Sequence, residues 1–327
     1  MLFFSRKHKF RDYYNILLPL ISVALACYNG EKYVEQQLDS IFGQTYPAVE
    51  VVVSFDESSD NTFQVVQKFT EKVNFKLVKN NGLKGVVNNF KNAIQPTTGQ
   101  YLAFSDQDDV WLTQKLEKSL KLIQSQEKIS GQDYPIMVFT ELTVTDSKLN
   151  TISGSYMTKM GLNPNNTSLA QLLIENVATG CTILMNRAMK DLITEMPCDA
   201  IMHDVFCAMA ASCFGKILYL PITTVQYRQH GSNVIGASEK VISESLVRTI
   251  SVRGNKSEFL QSEILNAEVF RNHYHSRLNE KQLNLLDHFI KIKSLSRMQR
   301  MIFLWGNGFK KGTFLKTANF YLKAFMM

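Results

Sequence analysis

From residue 21 to about residue 125 the chain alternates short apolar runs with stretches of helical periodicity. Ile21 to Ala26 is a mostly apolar run of strand length, and it is followed by Val34, Leu38, Ile41 and Phe42, spaced along one face of a helix from about Glu31 to Gln44. Val49 to Phe55 is rich in valine and lies between Pro47 and the polar cluster 56–61, which predicts a second strand. Helices are predicted over Thr62 to Phe69 and Val86 to Ile94, and strands over Phe75 to Val78 and from Tyr101. Gly82 and Gly85 open the second of these helices. This order predicts a mostly parallel central sheet with helices on both faces. Ligands in such sheets bind at the carboxyl ends of the strands, so Tyr28-Asn29, Asp56 and the acids after Phe104 are expected to converge.

Further along, 146–168 is rich in Ser, Thr, Asn and Gly and reads as a long surface loop. Helices are expected at Leu169 to Asn176, Arg187 to Thr194 and Asp204 to Cys213, and strands at Thr182 to Met185, Ile217 to Leu220 and Val225 to Arg228. Beyond Gly236 the pattern is helical and basic. Three units follow: an N-terminal extension at 1–17, an α/β domain at 18–236 and a helical C-terminal region at 237–327.

The segment YLAFSDQDDVW, Tyr101 to Trp111, carries the most chemistry. An apolar strand runs directly into Asp106, Asp108 and Asp109, and like charges at one strand end raise one another's pKa. In an extended chain Asp106 and Asp108 point to the same side. Two carboxylates placed so suit a hard divalent cation that also grips phosphate oxygens. The alternative is an acidic strand-to-helix turn, with Asp109 near the start of the helix bearing Leu116, Leu120 and Ile123.

Composition changes this picture only in part. The chain has 327 residues and 45% hydrophobic content, ordinary for a globular protein. Its formal charge of +7 is concentrated at the end, where Lys291, Lys293, Arg297, Arg300, Lys310, Lys311, Lys316 and Lys323 occur with no acid among them. Five cysteines (Cys27, Cys181, Cys198, Cys207 and Cys213) form no CxxC pair, and an odd number excludes a complete disulfide framework, so a reduced cytosolic setting is expected. The basic stretch Arg6-Lys7-His8-Lys9 precedes an apolar run too short to span a bilayer and interrupted by Pro19. Neither a P-loop nor a GxGxxG follows a strand.

Seven stretches occur together in order: VALACYNGEKYVEQQLDSIFGQTYP, VSFDESSDNT, NNGLKGVVNNFKNAI, FSDQDDVW, TGCTILMNR, HDVFCAMAASCFGKILYL and YRQHGSNVIG. Over about 21–236 they resemble the inverting family 2 glycosyltransferases of the GT-A fold, and the later stretches resemble the subgroup that includes bacterial rhamnosyltransferases. The resemblance implies a GT-A, Rossmann-like α/β domain. The implied activity is transfer of a sugar such as rhamnose from a dTDP- or UDP-linked donor to a growing, lipid-linked surface polysaccharide. It implies a divalent metal, Mn²⁺ or Mg²⁺, held by Asp106, Asp108 and His230, with Asp204 as the general base. Donor and nucleotide contacts fall on Ala26, Tyr28, Asn29, Glu31, Asp56, Lys84, Asp106, Gln107 and Asp109, and acceptor-side contacts on His203 and Trp111. Arg228 is placed either to offset diphosphate charge or to pair locally with an acid. One departure stands out: relatives carry Asp-Asp at the end of the second strand, and here the first position is Phe55.

Each role has a plainer counterpart. Asp204 at a helix start also caps backbone N–H groups, Asn29-Gly30 is also a turn, and Cys27 and Cys181 read as small core residues. Two rival functions remain. A nucleotidyltransferase that makes the sugar nucleotide would carry a Gly-rich, basic N-terminal loop, and Ala26-Cys27-Tyr28-Asn29-Gly30 has no basic residue. The other rival is a carbohydrate- or nucleotide-binding homologue that has lost activity. The basic tail interleaves Phe303, Trp305, Phe314, Phe320 and Phe325 with its charges and contains no transmembrane length. It therefore suits a helix lying on the anionic inner face of the cell membrane, or one packing on protein. No nucleic-acid partner is implied.

Overall fold

The computed structural model describes residues 18–231 and 259–327. The N-terminal extension, including Arg6-Lys7-His8-Lys9, and 232–258 lie outside the described residues. Nine strands form one sheet, in the order β3-β2-β1-β4-β8-β6-β9-β5 with β7 paired to β6. In β1 (Ile21–Cys27), β2 (Val49–Phe55) and β4 (Tyr101–Ser105), runs of residues are buried on both faces, as expected for strands covered by helices on each side. With β3 (Phe75–Lys79) they form a parallel half-sheet. The strand order reverses between β1 and β4, so their carboxyl ends border a crevice.

The second half of the sheet is mixed, beside the parallel half that the alternating order predicts. The short β8 (Leu184–Asn186) runs antiparallel to both β4 and β6, β5 (Val110–Trp111) runs antiparallel to β9, and β6 runs parallel to β9. Sequence pattern missed β6 (Ile136–Thr145), because Thr140, Glu141 and Thr143 interrupt its apolar run. The two strands expected at 217–220 and 225–228 are one, β9 (Lys216–Arg228). Pro221 sits in it just after Leu220, where the register with β6 shifts, since proline lacks the N–H that a regular ladder needs. The expected loop at 146–168 contains β7 (Thr151–Ser153) and a short helix, α5 (Tyr156–Met160).

Helices α1 (Val34–Phe42), α2 (Thr62–Gln67), α3 (Val86–Ile94) and α4 (Lys115–Ser130) fall close to where periodicity put them. Next come α6 (Leu169–Leu172), α7 (Arg187–Ile193) and α8 (His203–Phe214). Most of α8 is buried, including Ala208 to Ala211, so it crosses the core. The C-terminal helices are α9 (Gln261–His273), α10 (Glu280–Ile290), α11 (Arg297–Gly306) and α12 (Phe314–Met326). They share one hydrophobic core with the sheet: Phe206, Phe270, Phe289, Phe309 and Phe320 belong to the cluster that also contains Phe90 and Phe104. Polar ties cross the same boundary. Tyr274 Oη donates to Leu192 O at 2.8 Å, Gln282 Nε2 to Cys213 O at 3.0 Å, and Lys316 pairs with Glu175.

Candidate active site

The β1–α1 and β2–α2 loops are laced together. Asn29 Oδ1 accepts from Ser59 N at 2.8 Å, and Glu31 Oε2 accepts from both the backbone and side-chain nitrogens of Asn61. Glu31 N in turn donates to Asp60. Asn29 has a φ of 48°, the left-handed region that asparagine tolerates. Asn29 and Glu31 therefore build the rim of the crevice. Tyr28 beside them is 55% exposed and leaves a ring face open. Gln107 pairs with the Tyr28 backbone on both sides, accepting from its N at 2.9 Å and donating to its O at 2.8 Å. This pairing requires glycine at position 30, because a Cβ there would lie 2.2 Å from Gln107 Oε1.

Asp56 is buried at the end of β2. Its two oxygens accept from Asn80 Nδ2 at 2.7 Å and Gly85 N at 3.0 Å. Sequence reasoning did not single out Asn80; the Asn-Asn-Gly turn preceding α3 was its only signal. Phe55 is half-buried, its ring 5.2 Å from that of Phe63. Lys84 forms an exposed ion pair with Glu57. Ala26 sits at the end of β1, paired with Ser54.

The carboxylates converge, but in an arrangement that alternation along a strand did not foresee. β4 ends at Ser105 and the chain then turns. Asp106 therefore groups with Asp109 and Cys181, whose polar atoms lie within 4.8 Å of one another. Asp108 faces His230, with Oδ2 2.8 Å from Nε2. Burial, then Asp108, then Asp204 push Asp106 up to about 8. Burial, followed by Asp108 and Asp106, holds Asp109 well above the carboxylate range, and its Oδ2 has no partner. Beneath this cluster lies Lys115, fully buried, its Nζ 4.7 Å from the Trp111 ring and pushed down to about 8 by burial. Trp111 is 2% exposed, which corrects its expected place on the acceptor side: the ring is core.

Arg228 is the clamp that sequence left open between two roles. Its guanidinium donates to Asp108 O, Ser147 O and Gln36 Oε1, its backbone N to Asp109 Oδ1, and it lies 4.6 Å over the Tyr33 ring. It is 3% exposed, so it fixes the 108–109 turn from behind. The His230 ring stacks on the same tyrosine at 4.8 Å.

Asp204 stands at the start of α8. Oδ2 accepts from Gly180 N at 3.2 Å and Oδ1 from Val205 N at 2.8 Å, and burial pushes the carboxyl up to about 6. Its electrostatic contact with Asp106 joins it to the cluster. His203 is buried instead of facing an acceptor. It stacks on Phe90 at 3.8 Å, neither ring nitrogen has a partner, and burial pushes it down to about 3. A Cβ at Gly180 would come within 2.8 Å of this ring, so glycine lets the TGC segment pass. A groove of about 720 Å³ between α10 and α11 shares no residue with this site.

The family model "Glycosyl transferase family 2" matches residues 22–190, just over half of the chain. The chain belongs to glycosyl transferase family 2. It is 27% identical over 172 residues to the UDP-Glc:alpha-D-GlcNAc-diphosphoundecaprenol beta-1,3-glucosyltransferase WfgD of Escherichia coli, a match covering 52% of this chain and 61% of WfgD. An uncharacterized glycosyltransferase of Nostoc, alr2836, is 26% identical over 224 residues, covering 65% of this chain and 66% of that protein. The crystal structure of S. aureus TarS 1-349 in complex with UDP-GlcNAc superposes with a TM-score of 0.54 at 17% identity, covering 93% of this chain and 90% of that chain. That likeness supports the GT-A fold, with a helical C-terminal region following the sheet domain.

Proposed function

We propose that this chain is a metal-dependent, inverting glycosyltransferase. In this reading it moves a sugar from a nucleoside-diphosphate donor, UDP- or dTDP-linked and including rhamnosyl donors, to a hydroxyl of a lipid-linked glycan at the inner face of the membrane. Residues 18–236 form the catalytic unit. The observation that carries the proposal is the grouping of Asp106 with Asp109 and of Asp108 with His230 at the strand ends, with Asp204 bonded to Gly180 N beside Cys181 of the same cluster. WfgD is named for a diphosphoundecaprenol-linked acceptor and a UDP-linked sugar, which favours this substrate class.

The residues present suit a hard divalent ion. Asp106 and Asp108 offer carboxylate oxygens, His230 offers an imidazole nitrogen, and the crowded acids repel one another without a cation. The Cys181 thiol is driven far up by burial and by Asp109, so at neutral pH it has no thiolate to offer. When bound, the ion supplies positive charge to the departing diphosphate.

The protein's own residues do the rest. Asp204, raised to about 6, is ionised at neutral pH yet holds a proton better than an exposed aspartate. It takes the proton of the acceptor hydroxyl as that oxygen bonds to the anomeric carbon. The bond from that carbon to the diphosphate oxygen breaks on the opposite face, and the configuration inverts. Arg228 and Gln107 hold the loops in place, and Tyr28 offers its exposed ring to the nucleoside.

The test is donor binding by calorimetry with and without chelator. Mn²⁺ or Mg²⁺ should be required, and Asp108→Ala should remove the metal-dependent part. Unchanged donor affinity in the variant under both conditions would reject the reading.

A further inference from the structure

The C-terminal helices expose large apolar side chains in a regular pattern. On α11, Met298, Ile302 and Trp305 are 71%, 65% and 81% exposed and follow one another at helical spacing. On α12, Phe314, Leu315, Leu322 and Phe325 are exposed on a second such stripe, with the small, exposed Ala318 between. The two helices pack against each other: the Arg297 guanidinium lies 5.4 Å over the Phe325 ring, and buried Arg300 donates to Ala324 O. Opposite faces are already filled, since Leu304, Phe309, Phe320 and Ala324 are buried in the shared core. The exposed stripes are therefore left over after the fold has taken what it needs.

Charge indicates what covers them. Not every basic residue of the tail is available: Arg300 is buried on three carbonyls, Lys316 pairs with Glu175, and Lys311 lies over the Phe320 ring. Lys291, Arg297 and Lys310 are exposed, Lys293 and Lys323 half-exposed, and 288–327 contains no acid. Glu280 lines the groove beside Ile302; with no acid on α11 or α12 themselves, the two stripes are complementary to a surface whose outer layer is anionic and whose interior is hydrocarbon. A protein partner would have to supply both a matching apolar face and an acidic rim. None of the described helices is long and apolar enough to cross a membrane, so the contact would lie in the plane of the surface.

We infer that α11 and α12 form a docking face for an anionic lipid bilayer, with Trp305, Phe314 and Leu315 inserted and Arg297 and Lys310 at the headgroups. This rests on the membrane reading above and names the surface that realises it. It also predicts that removing 301–327 is the wrong way to test membrane binding. That deletion would strip Leu304, Phe309 and Phe320 from the core.

The chain provides its own reporter. It has two tryptophans; Trp111 is buried and Trp305 is exposed, so a change in tryptophan emission on binding reports Trp305. Full-length protein is mixed with phosphatidylcholine vesicles, with or without about 30% phosphatidylglycerol. Emission should shift to the blue, with co-sedimentation, on the anionic vesicles only. The Trp305→Ser/Phe314→Ser/Leu315→Ser variant should lose roughly tenfold or more of the partitioning, and Arg297→Gln/Lys310→Gln a smaller amount that raised salt mimics. Donor binding in solution should be unchanged in both variants, so a failure of the glycosyltransferase reading would show separately. Three results would overturn the inference: no shift and no sedimentation at low salt, equal binding to neutral vesicles, or a concentration-dependent dimer abolished by the serine variant with no vesicle binding.

Discussion

Asp204→Asn separates the two roles open to a carboxylate at a helix start. Burial raises the carboxyl from its ordinary 3.8 to about 6, a difference of about 3 kcal/mol between its charged and neutral forms. Because the folded state holds the proton more tightly than the unfolded chain, this group favours folding below pH 3.8. That contribution is lost as pH rises through about 6. At pH 7.5 the charge is therefore a cost, and asparagine removes it. The amide oxygen can accept from only one of Gly180 N and Val205 N, so the other N–H and the new NH₂ both lack a partner, at about 2 kcal/mol together. The net expectation is a variant about 1 kcal/mol more stable at pH 7.5, with the advantage shrinking toward pH 4. Transfer should fall ~10²-fold or more, because asparagine takes no proton, and the residual rate should lose its rise with pH through about 6. Urea unfolding at the two pH values, with the slope unchanged, gives the first quantity, and initial rates with saturating acceptor give the second. Equal stability at both pH values would show that the carboxyl is not desolvated. Retention of more than half of the turnover would assign the base elsewhere.

Three further substitutions test the frame around the site. Phe55→Asp should be tolerated, because the position is half-buried; it should cost about 1–2 kcal/mol for the lost contact with Phe63 and change the ranking of nucleotide donors in a binding panel. Unaltered stability together with unaltered preference would reject a role for this ring. Arg228→Lys should destabilise by about 2–4 kcal/mol in denaturant unfolding, since an ammonium cannot reach Asp108 O, Ser147 O and Gln36 together. Gly30→Ala should displace Gln107 from the Tyr28 backbone and raise KM for the donor more than it lowers kcat; an unchanged KM would remove Gln107 from the donor side.

Much of the fold was legible because its parallel half-sheet is built from largely apolar strands and helices of regular period. Ile21–Cys27, Val49–Phe55 and Tyr101–Ser105 are short buried runs bounded by turn residues, the pattern of covered strands. Legibility failed where polar residues occupy strand interiors. Glu141 in β6 is satisfied by Ser155 Oγ and Tyr156 N, contacts that no local pattern announces. At the site, the acids and His230 could be named from motif order, and the structure places Asp108 against His230. Their grouping could not be read, because the alternation rule holds only while the chain stays extended and β4 stops at Ser105. Trp111 and His203 were misplaced for a related reason: a residue next to a reactive one in sequence need not share its exposure, and both rings are buried.

The residues that a motif marks as ligand-binding divide into two kinds. Asn29, Glu31 and Gln107 spend their polar atoms on neighbouring loops, and Lys84 spends its charge on Glu57. Swapping them should change loop geometry before it changes any contact with a nucleotide. Asp56 is different. Each of its oxygens accepts one hydrogen bond, from Asn80 and from Gly85. A carboxylate has about four acceptor sites, so the two bonds fix its orientation without exhausting it, and a base N–H can still be received. Asp106, Asp108 and Asp109 complete the contrast: burial and their closeness push Asp106 and Asp109 toward holding a proton, and a cation with a diphosphate would favour their charged forms instead. The frame is thus held by hydrogen bonds and ion pairs between neighbouring loops. Strongly shifted carboxyls are confined to the few positions where a charged ligand would meet them, which is the arrangement preorganised electrostatic stabilisation requires.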